Sequence, residues 1–268
     1  PDTFRSLLPA LYSWMGDGMI EGVANLSEWY FEKFATDESS TEGLFEDYDH
    51  PNTRVTHMTV DHELPMTFWR SVGHSYTAFA KESMIDEMAE AAGMDEVAFR
   101  LQNTQNTPRL NNVIRVAGEH MAKMNPPEGH HLGFAAHHSF YTDVAEIAEV
   151  SVENGKIRVH KVTCVLDCGQ AVNPDIVRSQ IEGGVIYGLT ATLYGALNLE
   201  RGVIKESNFH DYPMLRMNES PEIEVVIIDS GTKPTGVGEP GLPPIAPAVA
   251  NAVYKATGQR LRSLPLQL

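Results

Sequence analysis

The sequence predicts an α+β fold, with mixed sheets and hairpins packed against several helices. Three observations carry that expectation. Two alternating runs, 144–152 and 156–166, flank Asn154-Gly155, the strongest short-range hairpin signal. Residues 78–92 place Phe79, Met84, Ile85, Met88 and Ala92 at helical spacing, and 245–256 is an apolar, alanine-rich run that reads as a buried helix. Helices and hairpins are mixed along the chain without strict βα alternation, which argues against a doubly wound sheet.

In chain order, residues 4–15 form an apolar-periodic stretch closed by the turn Gly16-Asp17-Gly18. The acidic, serine-bearing segment 37–50 reads as an exposed loop, and the alternating stretch 54–60 as a strand. A loop over 64–76 then feeds the helix over 78–92, which Gly93 ends as a C′ glycine. Asp95 caps a short helix, Glu96–Gln102, and another helix over 110–124 is stopped by Asn125-Pro126-Pro127. The texture changes at His130, and the first long strand is expected at 144, ahead of the Asn-Gly hairpin. Asn173-Pro174 opens a long helix towards Leu193, with Asn as N-cap and Pro at the first position. A short hairpin over 197–204 turns at Arg201-Gly202, Glu222–Ile228 is a strand, and a Gly/Pro-stiffened loop leads into the final helix. No internal repeat or low-complexity tract breaks the chain. The 268 residues read as one region, 1–268, with any division into two subdomains falling near 125–140.

Composition narrows the function classes. Hydrophobic content of 42 % and charged content of 21 % are those of a globular protein able to bury a substantial core. The net charge of −16 argues against nucleic acid as a partner, because phosphate binding needs a basic surface. No apolar run is long enough to span a membrane. Cys164 and Cys168 match neither a zinc nor an iron–sulfur pattern and read as buried free thiols. The eleven histidines are scattered without His-Glu-x-x-His, so no protein-ligated metal site is expected. Starting at Pro1 without an initiator Met, the sequence reads as a processed or excised piece. Its compartment, periplasm or cytoplasm, stays open.

Four places have chemical potential. Glu239 sits at the apex of Gly236-Val237-Gly238-Glu239-Pro240-Gly241, whose glycines permit positive φ or close approach to a ligand. It reads either as a solvated turn charge or as a general base held in a fixed place. Arg70, in Phe68-Trp69-Arg70-Ser71-Val72-Gly73-His74, is either a surface ion-pair residue or an anion clamp beside a helix N-terminus. Gln180, on the helix after Asn173, is either a structural amide or a ligand contact, with Gly183 and Gly184 allowing close packing. His137-His138-Ser139 lies in an extended segment, where neighbours point to opposite sides, so the two histidines do not chelate together.

These motifs resemble those of molybdenum hydroxylases, the xanthine dehydrogenase and aldehyde oxidase superfamily. Gly236-Val237-Gly238-Glu239-Pro240-Gly241 followed by 243–252 is similar to the family's C-terminal signature. More closely, the likeness is to the large molybdopterin-binding subunit of the isoquinoline 1-oxidoreductase and related aldehyde dehydrogenase branch. The segment 68–74 resembles the family's Phe-Arg-Gly-Phe-Gly loop, departing at Trp69, Ser71, Val72 and His74. Asp167-Cys168-Gly169 through Asn173-Pro174 to Gln180-Ile181-Glu182-Gly183 resembles its Asp-x-Gly…Asn-Pro…Gln-x-Glu-Gly motif.

The resemblance implies molybdenum-molybdopterin as cofactor, with the cytosine dinucleotide form open. It also implies Glu239 and Arg70 as catalytic residues, the glutamate as base on a molybdenum-bound hydroxyl and the arginine stabilising charge on the substrate. Gln180, Gly238, Gly183 and Ser139 would meet the cofactor, while His210 and Asp211 would fix loop geometry. The implied reaction oxidises an aldehyde or an N-heteroaromatic carbon with water as oxygen source. The likeness covers only about the C-terminal third of the family's large subunit. The N-terminal portion, with the other cofactor loops, is therefore an implied partner in the same or a separate chain. An iron–sulfur subunit is implied too, because two cysteines cannot hold a cluster here. A rival from a different class is a non-catalytic, partner-binding module derived from this family.

Overall fold

A computed structural model describes residues 41–44, 47–49, 55 and 69–268. The apolar-periodic stretch 4–15, all but residue 55 of the expected strand over 54–60 and half of the acidic segment 37–50 lie outside the described residues. In the described half Asp47 and Tyr48 are buried, where an exposed loop is expected. Among the described residues three helices come first: α1 (His74–Ala91), α2 (Glu96–Gln102) and α3 (Pro108–Met121). Gly93, at φ +64°, closes α1 as the spacing predicts. The Asp95 carboxylate accepts the Val97 and Ala98 amides and starts α2. One face of α1 turns charge inward. The fully buried Glu82 accepts Arg100 Nε at 2.9 Å, Tyr48 Oη at 2.7 Å and the Ala136 amide at 2.9 Å. A buried charge is tolerated when it is paired and saturated with hydrogen bonds, and this group joins α1, α2 and the sheet.

The sheet has the order β1 (His130–Ser139), β2 (Thr142–Glu153), β3 (Lys156–Asp167), β6 (Glu222–Ile228). The Asn154-Gly155 turn joins β2 to β3, both residues at positive φ as a tight hairpin turn demands. The sequence pattern places the first long strand after His137-His138-Ser139. In the structure these residues end β1, which pairs antiparallel with β2 from His130↔Ser151 to Ser139↔Thr142. The hairpin is hidden in the sequence because its turn is Phe140-Tyr141, at φ 51° and 63°, without Asn or Gly to announce it. A register shift between Glu149 and Val150 leaves His160 as an extra residue in β3. That bulge moves the inward set from Ile157 and Val159 to Val162, Cys164 and Leu166.

After β3, Asn173 caps α4 (Pro174–Leu193) by accepting the Asp175 and Ile176 amides. The β4 (Leu199–Glu200) and β5 (Val203–Ile204) hairpin follows, and the chain returns as β6, parallel to β3. The sheet is therefore mixed. Helix α5 (Ile245–Thr257) completes the chain. One sheet face, with Ala135, Val144, Ala148, Cys164 and Leu166, packs with α4 and α5 residues such as Ile181, Val185, Ala248 and Val249. The other, with Phe134, Ala136, Ile147 and Val165, meets Leu110, Val113 and Ile114 of α3.

Two features of the first face have measurable consequences. At Gly133 a methyl group would overlap the Ala248 carbonyl and the Ala252 amide of α5, backbone that cannot swing aside. Gly133→Ala should therefore destabilise the protein by about 3 kcal/mol, read as a shift in the chemical-denaturation midpoint. Glu146 is fully buried on β2, and burial lifts its carboxyl to about 8 although the Cys164 thiol donates to Oε1 at 3.1 Å. The unfolded chain ionises this carboxyl near its ordinary value while the fold holds the proton. The fold thus loses stability through this group as pH rises from about 4.5 to about 8. Glu146→Gln should raise stability at pH 7.5 by roughly 3 kcal/mol and leave it unchanged near pH 4, compared by thermal unfolding at both pH values.

Candidate functional site

The loop bearing Glu239 is strung between the end of the sheet and α4. At the C-terminal end of β3, Asp167 accepts Arg109 Nη2 at 3.0 Å, the Gly169 amide at 2.9 Å and Ser230 Oγ at 2.8 Å. Burial opposes its charge, but these donors outweigh it and hold the carboxyl below the usual carboxylate range. The Thr235 amide donates to Cys168 O at 3.0 Å, and Thr142 Oγ1 donates to Gly236 O at 2.6 Å. Residues 230–236 are thus tied to the strand ends. Farther on, Gly241 lies against the α4 backbone, where a Cβ would sit 3.1 Å from Ile181 Cα. Neither Gly236, Gly238 nor Gly241 adopts positive φ. The sequence offers conformational freedom or closeness to a ligand as reasons for these glycines, whereas at Gly241 the missing side chain makes room for α4.

Arg70, Gln180, Gly183, Gly238 and Glu239 come together at this point. Arg70 Nε donates to Gly238 O at 2.8 Å, and Nη2 donates to the same oxygen and to Gln180 O at 3.2 Å. The Gln180 side-chain oxygen is 3.4 Å from Nη2. A Cβ on the exposed Gly183 would meet Arg70 Nη1 at 3.7 Å, and one on Gly238 would meet Gln180 Oε1 at 3.9 Å. Trp69 packs on Tyr187 of α4, with ring centroids 4.9 Å apart. Glu239 faces the same turn. Its Oε2 accepts the Ser71 amide at 2.6 Å and its carbonyl accepts Ser71 Oγ at 2.8 Å. Among the described residues no carboxylate lies within ion-pair distance of Arg70.

Ser139 stands apart from this group. It is buried at the end of β1, and its hydroxyl finds no hydrogen-bond partner among the described residues. Its neighbour Phe140 touches the loop, accepting the Gly236 amide at 3.3 Å. His210 and Asp211 lie in an exposed turn, where Asp211 accepts the Ser207 and Asn208 amides and fixes the loop as expected. Cys164 and Cys168 are buried free thiols.

A histidine pair has no counterpart among the sequence expectations. His74 Nδ1 lies 2.9 Å from His137 Nε2, and His137 Nδ1 lies 3.5 Å from Asp47 Oδ2, which Lys81 engages from its other side. Burial, reinforced by the charge of Lys81, lowers His74 to about 4 and drives His137 well below its ordinary value. Both rings are neutral near pH 7, one donating and the other accepting. Nothing at 137 points to position 74, since 63 residues separate them. Among the described residues no three His, Cys, Asp or Glu side chains are arranged to hold a metal ion, and no helix is long and apolar enough to cross a membrane.

Gln180, Gly183 and Gly238 are exposed beside the Arg70 guanidinium. Two molybdopterin cofactor-binding domain models match the chain, over residues 67–221 and 28–104. The beta subunit of isoquinoline 1-oxidoreductase from Brevundimonas diminuta is 35 % identical over 252 residues, 91 % of this chain and 32 % of that protein. A nicotinate dehydrogenase subunit of Pseudomonas putida is 31 % identical, covering 82 % of this chain and 20 % of its own length. The chain thus spans a third or less of these relatives. The aldehyde oxidoreductase of Desulfovibrio gigas shares the fold with a TM-score of 0.69 at 16 % identity, over 95 % of this chain and 45 % of that one. This chain belongs to the molybdopterin cofactor-binding family of the molybdenum hydroxylases.

Proposed function

We propose that the chain is part of a molybdenum-dependent hydroxylase or dehydrogenase, oxidising an N-heteroaromatic or aldehyde carbon with water as oxygen source. Glu239 is its base. The observation that carries this reading is the placement of Glu239 beside Arg70 without an ion pair between them. A carboxylate whose Oε2 is held by an amide has its other oxygen free to take a proton, and a guanidinium held by carbonyls keeps its charge for a substrate. Two relatives are named for isoquinoline and nicotinate, which supports the N-heteroaromatic class first.

Molybdenum-molybdopterin, when bound, supplies the redox chemistry by taking two electrons from the substrate carbon. Everything else falls to the protein. Gln180 offers a side-chain amide and Gly183 and Gly238 a surface without side chains, which together seat the pterin. Glu239 accepts the proton released as the water-derived oxygen becomes nucleophilic. Arg70 stabilises negative charge building on the substrate. An iron–sulfur subunit to remove electrons and the remainder of the molybdenum subunit complete the proposed assembly, the nucleotide form of the pterin staying open. Both of those relatives are named as single subunits of their enzymes, which supports a multi-chain assembly.

The test uses the complete enzyme purified with its co-eluting chains, with isoquinoline, nicotinate and benzaldehyde as probes. About one molybdenum per complex is expected by elemental analysis. Glu239→Gln should lower kcat by roughly 10³-fold, within the range for loss of a general base, at unchanged molybdenum content. Normal turnover by that variant overturns the assignment of the base. Absence of molybdenum from the complete complex replaces the enzyme reading with that of a partner-binding module.

A further inference from the structure

We infer that Ser71 is the positioning residue of Glu239, an inference that rests on the reading of Glu239 as the base. The serine makes two contacts with one residue 168 positions away. Its amide donates to Glu239 Oε2 at 2.6 Å, and its hydroxyl donates to the Glu239 carbonyl at 2.8 Å. The first bond orients the carboxylate, and the second holds the backbone from which the carboxylate hangs. Among the described residues the structure gives Oε1 no hydrogen-bond partner, so Oε1 is the oxygen that takes the proton.

The backbone conformation shows that the arrangement is imposed. Ser71 lies at φ 72° and the β-branched Val72 at φ 45°, a left-handed pair that costs free energy in any residue but glycine. The turn is held by the Val72 amide donating to Trp69 O at 3.0 Å and by Ser75 Oγ donating to Val72 O at 2.7 Å. Glycine would adopt the Ser71 conformation with less strain, but it would leave the Glu239 carbonyl without the hydroxyl. Ser71 is fully buried, so its hydroxyl acts on Glu239 and not on solvent. The same carbonyl accepts the Leu242 amide at 3.0 Å, so loosening the latch also loosens the turn that starts α5.

Hydrogen–deuterium exchange on the complete enzyme reads the latch without any substrate. The Ser71 amide should be protected in the wild type and exchange at least tenfold faster in Glu239→Ala, while β2 and β3 keep their protection as a folding control. The Leu242 amide should exchange faster in Ser71→Ala. Turnover of the probes above then tests positioning. Ser71→Ala and Ser71→Gly should both lower kcat at least tenfold, with KM within twofold and molybdenum unchanged. A merely structural role predicts instead that Ser71→Gly, relieved of strain, matches the wild type. Unchanged Ser71 exchange in Glu239→Ala, or wild-type kcat in Ser71→Gly while Glu239→Gln is inactive, overturns the inference. An active Glu239→Gln instead overturns the base itself, and the two failures stay distinct because the exchange measurement does not depend on turnover.

Discussion

The site depends on backbone packed directly against backbone. Helix α5 lies on β1 where Gly133 faces Ala248 and Ala252, and the loop before it lies on α4 where Gly184 and Gly241 face each other. A side chain at any of these places would push the layers apart. With the layers at this spacing, the segment from Gly236 to Pro244 has almost no latitude. One end is tied to the strand ends through Thr235 and Gly236, and the other enters α5 as a run of buried residues from Leu242 to Val253. Glu239 is therefore placed by the core. Its position is a property of the sheet and two helices, as the proposed role of a base held in a fixed place would require.

A second constraint acts from α1. Its inward face carries Lys81, Glu82 and Asp86, and each charge has a partner: Asp47 for Lys81, Arg100 for Glu82, Arg260 for Asp86. Removing one member would leave an uncompensated charge in the interior, a far larger cost than the pair returns when intact. This network links the C-terminal tail, through Arg260 and Asp86, to α1, through Arg100 to α2, and through Glu82 to the Ala136 amide of β1. The turn carrying Arg70 and Ser71 immediately precedes α1, so the helix's fixed seat also fixes that turn.

Much of this is legible in the sequence where a local rule applies. Asn154-Gly155, the Asp95 and Asn173 caps, Gly93 and the buried run of α5 each follow from one residue type in one conformation, and each is where the pattern puts it. Signals that depend on distant partners are not legible. β1 has alanines, histidines and a glycine in place of the usual β-branched residues, because Gly133 must admit α5, so its strand character comes from pairing with β2. The parallel pairing of β6 with β3 needs the α4 crossover, which no local pattern reports. On α1, inward charges at 81, 82 and 86 blur the apolar periodicity. Arg70, Gln180, Gly183, Gly238 and Glu239, which lie together, are legible as candidates because the resemblance names them, as it names Ser139, which stands apart. Their mutual geometry is not, and neither is Ser71, which looks like a departure from the family pattern.

The geometry also changes how Arg70 is understood. A surface ion pair and an anion clamp are the two readings open from the sequence, and the observed contacts are of a third kind. The guanidinium donates to the carbonyls of Gly238 and Gln180, neutral acceptors that fix its orientation without cancelling its charge. Glu239, the residue after Gly238, is held by the Ser71 amide, a neutral donor as well. No ion pair joins the two side chains. Dipoles hold them apart instead, and the cost of doing so appears as left-handed backbone at Ser71 and Val72. Strain in that turn is what keeps a carboxylate and a guanidinium side by side without an ion pair.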